Sequence, residues 1–564
     1  MSLKWLSRLT WLTWLNWLKP SVSMQGRHPW LVSAGLALAL STLGNAPFWW
    51  ALAQLPEVNN LRAYAGLIGI WAALTLLMWV FVNLVVWPWW RKPIGVLLLV
   101  MTMTASYFMA MYGVVIDPTM VANAMQTNTA EVRDLLSLTL LLTLVIGVGV
   151  PGLWWWRLEP GACLGWQRWT HQLGAVVVGS VLTAALLLLV FQDLASLMRN
   201  HTTLRFMINP FNTVYAVGRL AKTEQAQRQQ PMQAIGDDAS ARTIGAKEAA
   251  PVLILVVGET ARAANFGIGG YERPTTPKLQ ALQAQGDLYY FSQVQSCGTN
   301  TQVSVPCLFS HLDRKAHTDN TVSYESLLDV LQKAGWAVLW LENQSGCKGV
   351  CDRVAHVDTS AIKHPQLCVA GECWDEIMLD GLSERIATLP AERRARGTVV
   401  VMHQMGSHGP AYYKRSPPER KVFLPECTSN ALPSCNAQAL RNAYDNSIAY
   451  TDHFLGQVVS WLKTQQQPTA LWYVSDHGES LGENGIYLHG MPYKMAPKEQ
   501  THVPMALWVS PAMRQHWAVD DACLRAQQSK PWSHDNWFHT VLGSADVKTG
   551  LYQPEMDITR ACRH

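Results

Sequence analysis

The stretch Val252-Leu253-Ile254-Leu255-Val256-Val257-Gly258-Glu259 decides how the C-terminal half of this chain is read. Six apolar residues in a row, most of them β-branched, run into a glycine and then a carboxylate. A strand apolar on both faces is covered on both faces, which is the condition of a parallel sheet between helices. Similar runs follow at Ala337–Leu341, Thr398–Met402, Leu471–Val474 and Met505–Val509. Between them the apolar spacing is helical, as in Ser323–Ala334, Asp375–Leu389 and Gln438–Leu462. This alternation predicts an α/β domain with a mainly parallel central sheet.

Sheets of this kind carry their sites at the carboxyl ends of the strands. Glu259 follows the first run, His403 and His408 follow Thr398–Met402, and Asp476 and His477 follow Leu471–Val474. Adjacent side chains on a strand point to opposite faces. Asp476 and His477 therefore share one metal only where the strand has ended, and Ser475-Asp476-His477-Gly478 has the composition of such an end. Carboxylate and imidazole suit zinc or manganese, and Glu259 is a third candidate ligand. The bland reading of a single acid at a strand end is a helix cap or a solvated charge.

The loop Cys297-Gly298-Thr299-Asn300-Thr301-Gln302-Val303-Ser304-Val305-Pro306-Cys307 offers hydroxyls that a metal would activate. Its residues alone do not choose among Thr299, Thr301 and Ser304, and a Thr-rich capping turn is the alternative. His403, His408 and His489 read as proton donors, phosphate binders or ligands of a second metal. Lys348 reads as a phosphate partner.

Outward from the sheet, the composition changes. Of 564 residues, 49% are hydrophobic and 15% charged, and the apolar ones crowd into the first two hundred positions. Five runs reach the length of about 20 residues that a helix needs to cross a bilayer. They lie near 30–50, 62–87, 93–116, 135–156 and 172–192. Trp87, Trp89, Trp90 and Trp154–Trp156 form interfacial belts at run ends. Lys4, Arg8, Lys19, Arg27, Arg91, Lys92, Arg157 and Arg168 fall on one side, against Arg62 and Arg133 on the other, so the N-terminus is expected in the cytoplasm. Five crossings then export the C-terminal half. Residues 1–28, with Trp5, Trp11, Trp14 and Trp17, read as an interfacial amphipathic segment rather than a cleaved signal peptide. The expected organisation is a transmembrane domain over 29–195, connecting helices and a linker over 196–250, and a periplasmic catalytic domain over 251–564. A net charge of +4 gives no case for nucleic acid.

Of 11 cysteines, only Cys163 precedes residue 297. An even number in the exported half indicates a disulfide framework in an oxidising compartment. Sequence does not fix connectivity; pairing of nearest neighbours gives Cys297-Cys307, Cys347-Cys351, Cys368-Cys373, Cys427-Cys435 and Cys523-Cys562. A structural zinc on Cys347 and Cys351 lacks a second ligand pair.

Several motifs, taken together, resemble the catalytic domain of the phosphoethanolamine transferases. They are Val256-Val257-Gly258-Glu259-Thr260-Ala261-Arg262, Pro274-Thr275-Thr276-Pro277, Ser296-Cys297-Gly298-Thr299, Ser345-Gly346-Cys347-Lys348-Gly349-Val350-Cys351, Gly406-Ser407-His408-Gly409-Pro410 and Ser475-Asp476-His477-Gly478-Glu479 through His489-Gly490. The match runs nearly the whole chain and is most similar to the lipid A branch, which includes the mobile colistin-resistance enzymes. The resemblance implies an alkaline phosphatase/sulfatase fold and one tight Zn2+ site made by Glu259, Thr301, Asp476 and His477, with room for a second ion during catalysis. It singles out Thr301 as the nucleophile. It places His403, His408, His489, Lys348 and Glu479 around the phosphate or a second zinc, and Asn123 and Glu131 at the lipid donor. Gln344 stands where relatives often carry Asn or Asp.

The expected reaction moves phosphoethanolamine from phosphatidylethanolamine to a lipid A phosphate, or to another lipid-linked acceptor, by way of Thr301, and favours polymyxin resistance. A monomer in the bacterial inner membrane is expected. The rival readings are transfer to core sugars or periplasmic glucan, a phosphodiesterase or sulfatase of the same superfamily, and a non-catalytic membrane sensor.

Overall fold

The structure, a computed structural model, describes residues 25–56, 58, 61–87, 89–127, 129–160, 165–228, 230–245 and 248–563. Most of the proposed N-terminal interfacial segment, and Cys163, lie outside the described residues. The chain divides into two compact units. One holds the residues up to Tyr107 together with Leu138–Thr213, and the other holds Phe108–Ser137 and Val214–His564.

Among the described residues, five helices are long and apolar enough to cross a membrane: Pro29–Ala53, Ala63–Val85, Arg91–Tyr112, Leu138–Arg157 and Trp169–Phe191. In the first unit, Leu61–Val85 packs along Gly165–Asn200, and Pro29–Thr42 lies against it. Polar groups in this apolar interior pair with each other, as membrane-buried donors must. Trp79 Nε1 and Asn83 Nδ2 both donate to Ser33 Oγ, at 2.8 and 3.2 Å.

The second unit is built on an eight-stranded sheet. In chain order its strands are β1 (Val252–Gly258), β2 (Leu288–Gln295), β3 (Ala337–Glu342), β4 (Ala355–Asp358), β5 (Thr398–His403), β6 (Thr469–Ser475), β7 (His502–Val509) and β8 (Trp532–Ser533). Their spatial order is β8-β2-β7-β6-β1-β5-β3-β4. Every pairing is parallel except those of β7, which runs against both β6 and β2. Every residue of β1, β3, β5 and β6 is buried. Those four are the central strands that the continuous apolar runs predict.

Three local differences from the sequence reading have physical causes. The helical reading of Asp375–Leu389 breaks into Asp375–Met378 and Leu382–Ala387. Gly381 between them takes φ +63°, a left-handed conformation that stops a helix. The linker expected within 196–250 is partly ordered against the second unit. Phe211–Arg228 is helical, Ile235 joins the domain core, and Ser240–Ala241 pairs with Val547–Lys548. Finally, Phe108–Ser137 groups with the catalytic unit rather than with the spans around it. Its helices are Pro118–Met125 and Thr129–Leu135. Buried Asp134 bonds Lys414 and, at 3.2 Å, the Arg415 guanidinium, and its carbonyl accepts from Asn430 Nδ2 at 2.6 Å.

Disulfides join Cys297 to Cys307, Cys347 to Cys351, Cys368 to Cys373, Cys427 to Cys435 and Cys523 to Cys562.

Candidate metal and phosphoryl site

Thr301 is the first residue of the helix Thr301–Leu308. Asn300 caps that helix by accepting from Val303 N at 3.1 Å, and the Cys297–Cys307 bridge closes the turn around it. Asn300 Nδ2 donates to Thr119 Oγ1 at 3.3 Å, so the Pro118–Met125 helix abuts the same turn.

Three parallel-strand ends and this helix meet at one point. Thr301 Oγ1 donates to Glu259 Oε2 at 3.1 Å and lies 3.4 Å from His477 Nε2. His477 Nε2 lies 3.4 Å from Glu259 Oε1 and 3.3 Å from Asp476 Oδ2. The ligand atoms of Glu259, Asp476 and His477 fall within 4.8 Å of one another, and all three residues are fully buried. His477 Nδ1 donates to the Gly478 carbonyl at 2.9 Å, which leaves the Nε2 lone pair facing the cluster. The strand has ended at Ser475, which lets Asp476 and His477 turn to one side. Thr260, at φ +52°, gives its N–H to Asp476 Oδ1 at 3.2 Å. A strained backbone at this position fixes one of the acids.

These residues fit a divalent cation. Glu259 Oε1 and Asp476 Oδ2 are buried, and among the described residues no donor reaches them. Burial, reinforced by the charge of Asp476, pushes the Glu259 carboxyl well above the usual carboxylate range. Two buried carboxylates with spare oxygens and one imidazole lone pair form a donor set that a cation satisfies.

Close packing holds the acids in place. Gly406 (φ +53°) brings its loop against the Glu259 backbone, and a Cβ there would sit 2.6 Å from the Glu259 carbonyl oxygen. Ser407 N donates to that carbonyl at 3.0 Å. His534 ties the nucleophile loop to the metal-side loop: Cys297 N donates to Nδ1 at 3.2 Å, and Nε2 donates to Ser475 O at 3.0 Å. Burial pushes the His534 imidazole down to about 4 from 6.5. The unfolded chain then takes up a proton between these values that the folded chain refuses. Stability from this group is complete above about pH 6.5 and declines towards pH 4, by about 3 kcal/mol in all. A His534→Gln protein should melt lower at pH 7, with a smaller further drop at pH 5 than the parent; melting curves in detergent at both values check this.

His403 stands at the edge of the cluster, with Nε2 4.0 Å from Glu259 Oε2. Its Nδ1 lies 3.0–3.1 Å from the two oxygens of Glu342, which sits opposite it in register at the end of β3. Glu342 also accepts from Trp340 Nε1 and Gln344 N, both at 2.8 Å. Burial would lower the His403 imidazole, but the carboxylates around it, Glu342 first and then Glu259 and Asp476, together raise it. Burial would raise Glu342, and His403 holds it below the usual range. The two shifts agree on a buried ion pair. Glu342 is absent from the sequence-based candidates, although it too ends an apolar strand.

His408 and His489 meet edge to face with ring centroids 5.6 Å apart, and the His489 ring lies tilted 4.4 Å from that of His477. Glu479 lies 3.4 Å from His489 Nδ1. Burial, with His489 beside it, pushes His408 well below its ordinary value, so its 3.9 Å approach to Glu131 is not an ion pair. Glu131 lies 3.3 Å from Gln344 Nε2. Lys348, at φ +53°, donates through Nζ to Ser345 O and Oγ, each at 2.9 Å, and burial lowers its ammonium. Asn123 is half-buried on the Pro118–Met125 helix. Among the described residues, no hydrogen bond joins its side chain to Glu259, Asp476 or His477.

Fold and cluster together define a sulfatase-class domain, and the sequence pattern of the sulfatase family matches residues 251–547. The pattern described as phosphoethanolamine transferase EptA/EptB matches residues 74–225. The chain is 37% identical to phosphoethanolamine transferase EptA of Escherichia coli K12, over 97% of this chain and 98% of that protein. It is 36% identical to the Escherichia coli phosphatidylethanolamine transferase Mcr-2, over 93% and 96%. The solved integral membrane lipooligosaccharide phosphoethanolamine transferase A from Neisseria meningitidis superposes with a TM-score of 0.90 at 35% identity, covering 96% and 99%. The chain belongs to the phosphoethanolamine transferase family of EptA and Mcr.

Proposed function

We propose that this chain transfers phosphoethanolamine from phosphatidylethanolamine to a phosphate of lipid A through a phosphoethanolamine-threonine intermediate on Thr301. The observation that carries this reading is the placement of Thr301 Oγ1 against Glu259 and His477 in a buried, cation-seeking cluster. The family membership supports the transferred group. The meningococcal relative's name, a lipooligosaccharide phosphoethanolamine transferase, supports a lipid-linked saccharide acceptor.

In this proposal Glu259, Asp476, His477 and Thr301 hold zinc, which when bound lowers the hydroxyl's pKa and neutralises charge on the phosphoryl group. The Thr301 hydroxyl gives up its proton and its oxygen bonds to phosphorus as the bond to the diacylglycerol oxygen breaks, and that oxygen takes up the proton as it leaves. A lipid A phosphate oxygen then attacks the same phosphorus and frees Thr301. The first amides of the Thr301–Leu308 helix face the phosphoryl oxygens. His408, neutral at pH 7, accepts a proton; Lys348, His489 and Glu479 hold the phosphate and its surroundings, and Asn123 and Glu131 the donor. Glu342 fixes the ring of His403 so that Nε2 presents to the reacting centre. Glu342→Ala should lower turnover about 10- to 100-fold, the usual effect of losing such a supporting carboxylate. Steady-state rates, with circular dichroism to confirm folding, check this.

In this proposal the N-terminus lies in the cytoplasm, on the side of the basic residues, and five crossings carry residues 251–564 to the periplasm, where disulfides persist. Purified protein given phosphatidylethanolamine and lipid A should release diacylglycerol and modified lipid A in equal amounts. Release of free phosphoethanolamine, with lipid A unchanged, would identify a phosphodiesterase instead.

A further inference from the structure

Polar side chains along Phe108–Ser137 seat this segment against the rest of its unit. Thr119 Oγ1 accepts from Asn300 Nδ2 at 3.3 Å, one residue before Thr301. Glu131 Oε1 accepts from Gln344 Nε2 at 3.3 Å and lies 3.9 Å from His408 Nε2. Asp134 meets Lys414 and Arg415 through its carboxylate, and Asn430 through its carbonyl. Glu131 and Asp134 are both buried and stand three residues apart on the helix Thr129–Leu135, so they share its inner face, while Val132 between them is exposed.

Arg415 is the pivot. Its side chain is 2% exposed, and each arm has its own acceptor. Nη2 donates to Asp134 Oδ2 at 3.2 Å, Nε to the His408 carbonyl at 2.7 Å and Nη1 to Glu372 Oε2 at 3.3 Å. A guanidinium is planar and holds its donors in a fixed fork, so a shift of Asp134 turns the same plane that holds the His408 backbone. Among the described residues, no hydrogen bond joins Asp134 or Arg415 to Glu259, Thr301, Asp476 or His477. Their part is therefore positional. We propose that Asp134 and Arg415, with Lys414 beside them, form a latch: it seats the helix Thr129–Leu135 so that Glu131 lies against His408, and it ties that seating to the His408 backbone. The latch rests on the reading of Glu131 as a donor-side residue under the proposed function. Releasing it should weaken productive binding of the lipid donor more than the chemistry at Thr301.

The test is a double-mutant cycle on the full chain in mixed micelles of detergent and phosphatidylethanolamine, with Asp134→Asn, Glu131→Gln and the pair. Asp134→Asn leaves Arg415 its bonds to His408 and Glu372. It should raise KM for the lipid about 10-fold and change kcat less than about 3-fold. In the Glu131→Gln background the same substitution should change KM by less than about 2-fold, because the residue it positions is already lost. An equal rise in both backgrounds, or a fall in kcat with KM unchanged, would overturn the latch and leave the donor-side role of Glu131 standing. Glu131→Gln with the parent's KM would refute that role, and the latch with it. Should Asp134→Asn fail to fold, Lys414→Gln takes its place in the cycle, since that side chain is 33% exposed, with a KM rise of about 3-fold expected and the same non-additivity deciding. A parent protein that takes no phosphatidylethanolamine, while using another lipid donor, would refute the proposed function; the cycle run on that donor then decides the latch by the same criterion.

Discussion

Thr301→Ala should abolish phosphoethanolamine transfer, by roughly 10³-fold or more, while leaving the fold and the metal-binding acids in place. A hydroxyl that forms the covalent intermediate has no substitute nearby. In other enzymes, loss of the nucleophile removes most of the acceleration, and only binding and electrostatic terms survive. Thr301 is buried in a capped, disulfide-closed turn, so removing its hydroxyl takes away one hydrogen bond to Glu259 and little packing. Thr301→Ser keeps the hydroxyl without the methyl that holds its rotamer and should retain measurable turnover. Incubation with labelled phosphatidylethanolamine followed by mass analysis of the protein gives a second readout: a phosphoethanolamine adduct on the parent and the serine variant, none on the alanine variant. An adduct on the alanine variant would place the nucleophile elsewhere.

Asp476→Asn should have the next largest effect, through the metal. Glu259, Asp476 and His477 are fully buried with ligand atoms within 4.8 Å of one another. Removing one charge from this set should weaken zinc by more than about 100-fold, the upper end for loss of a merely supporting partner. The parent protein should carry about one tightly held zinc per chain, measured by elemental analysis after dialysis, and the variant far less. Activity should fall with the zinc. The variant should still fold, because Asp476 Oδ1 accepts its bonds from the backbone of Thr260 and His477, and a side-chain amide oxygen accepts them too. Full zinc occupancy in Asp476→Asn would remove Asp476 from the ligand set.

The central strands were legible because runs such as Val252–Gly258 are short, rich in β-branched residues and ended by glycine, which favours a doubly covered strand over a buried helix. The candidate site was legible because sites form at the carboxyl ends of such strands, and Glu259, His403 and Asp476 all stand there. Glu342 stands there as well, one residue beyond Leu341, and escaped notice because its partner lies on a different strand. Leu288–Gln295 did not read as a strand because its apolar run stops at Phe291 and the polar Ser292, Gln293 and Gln295 follow. The direction of β7 was invisible, since apolar periodicity carries no sense of direction. The short edge strand β4 is mostly exposed and has no apolar signature. The grouping of Phe108–Ser137 with the catalytic unit depends on Asp134 meeting Lys414 and Arg415, residues far apart in sequence.

The central claim is that Thr301 carries phosphoethanolamine to lipid A. Mass spectrometry of lipid A from cells expressing this chain, beside cells expressing Thr301→Ala, tests it most directly. The account predicts a phosphoethanolamine-sized mass increase on lipid A with the parent chain, absent with the variant, and survival in polymyxin that follows the modification. Unmodified lipid A in both strains, with the protein present in the membrane and loaded with zinc, would contradict it.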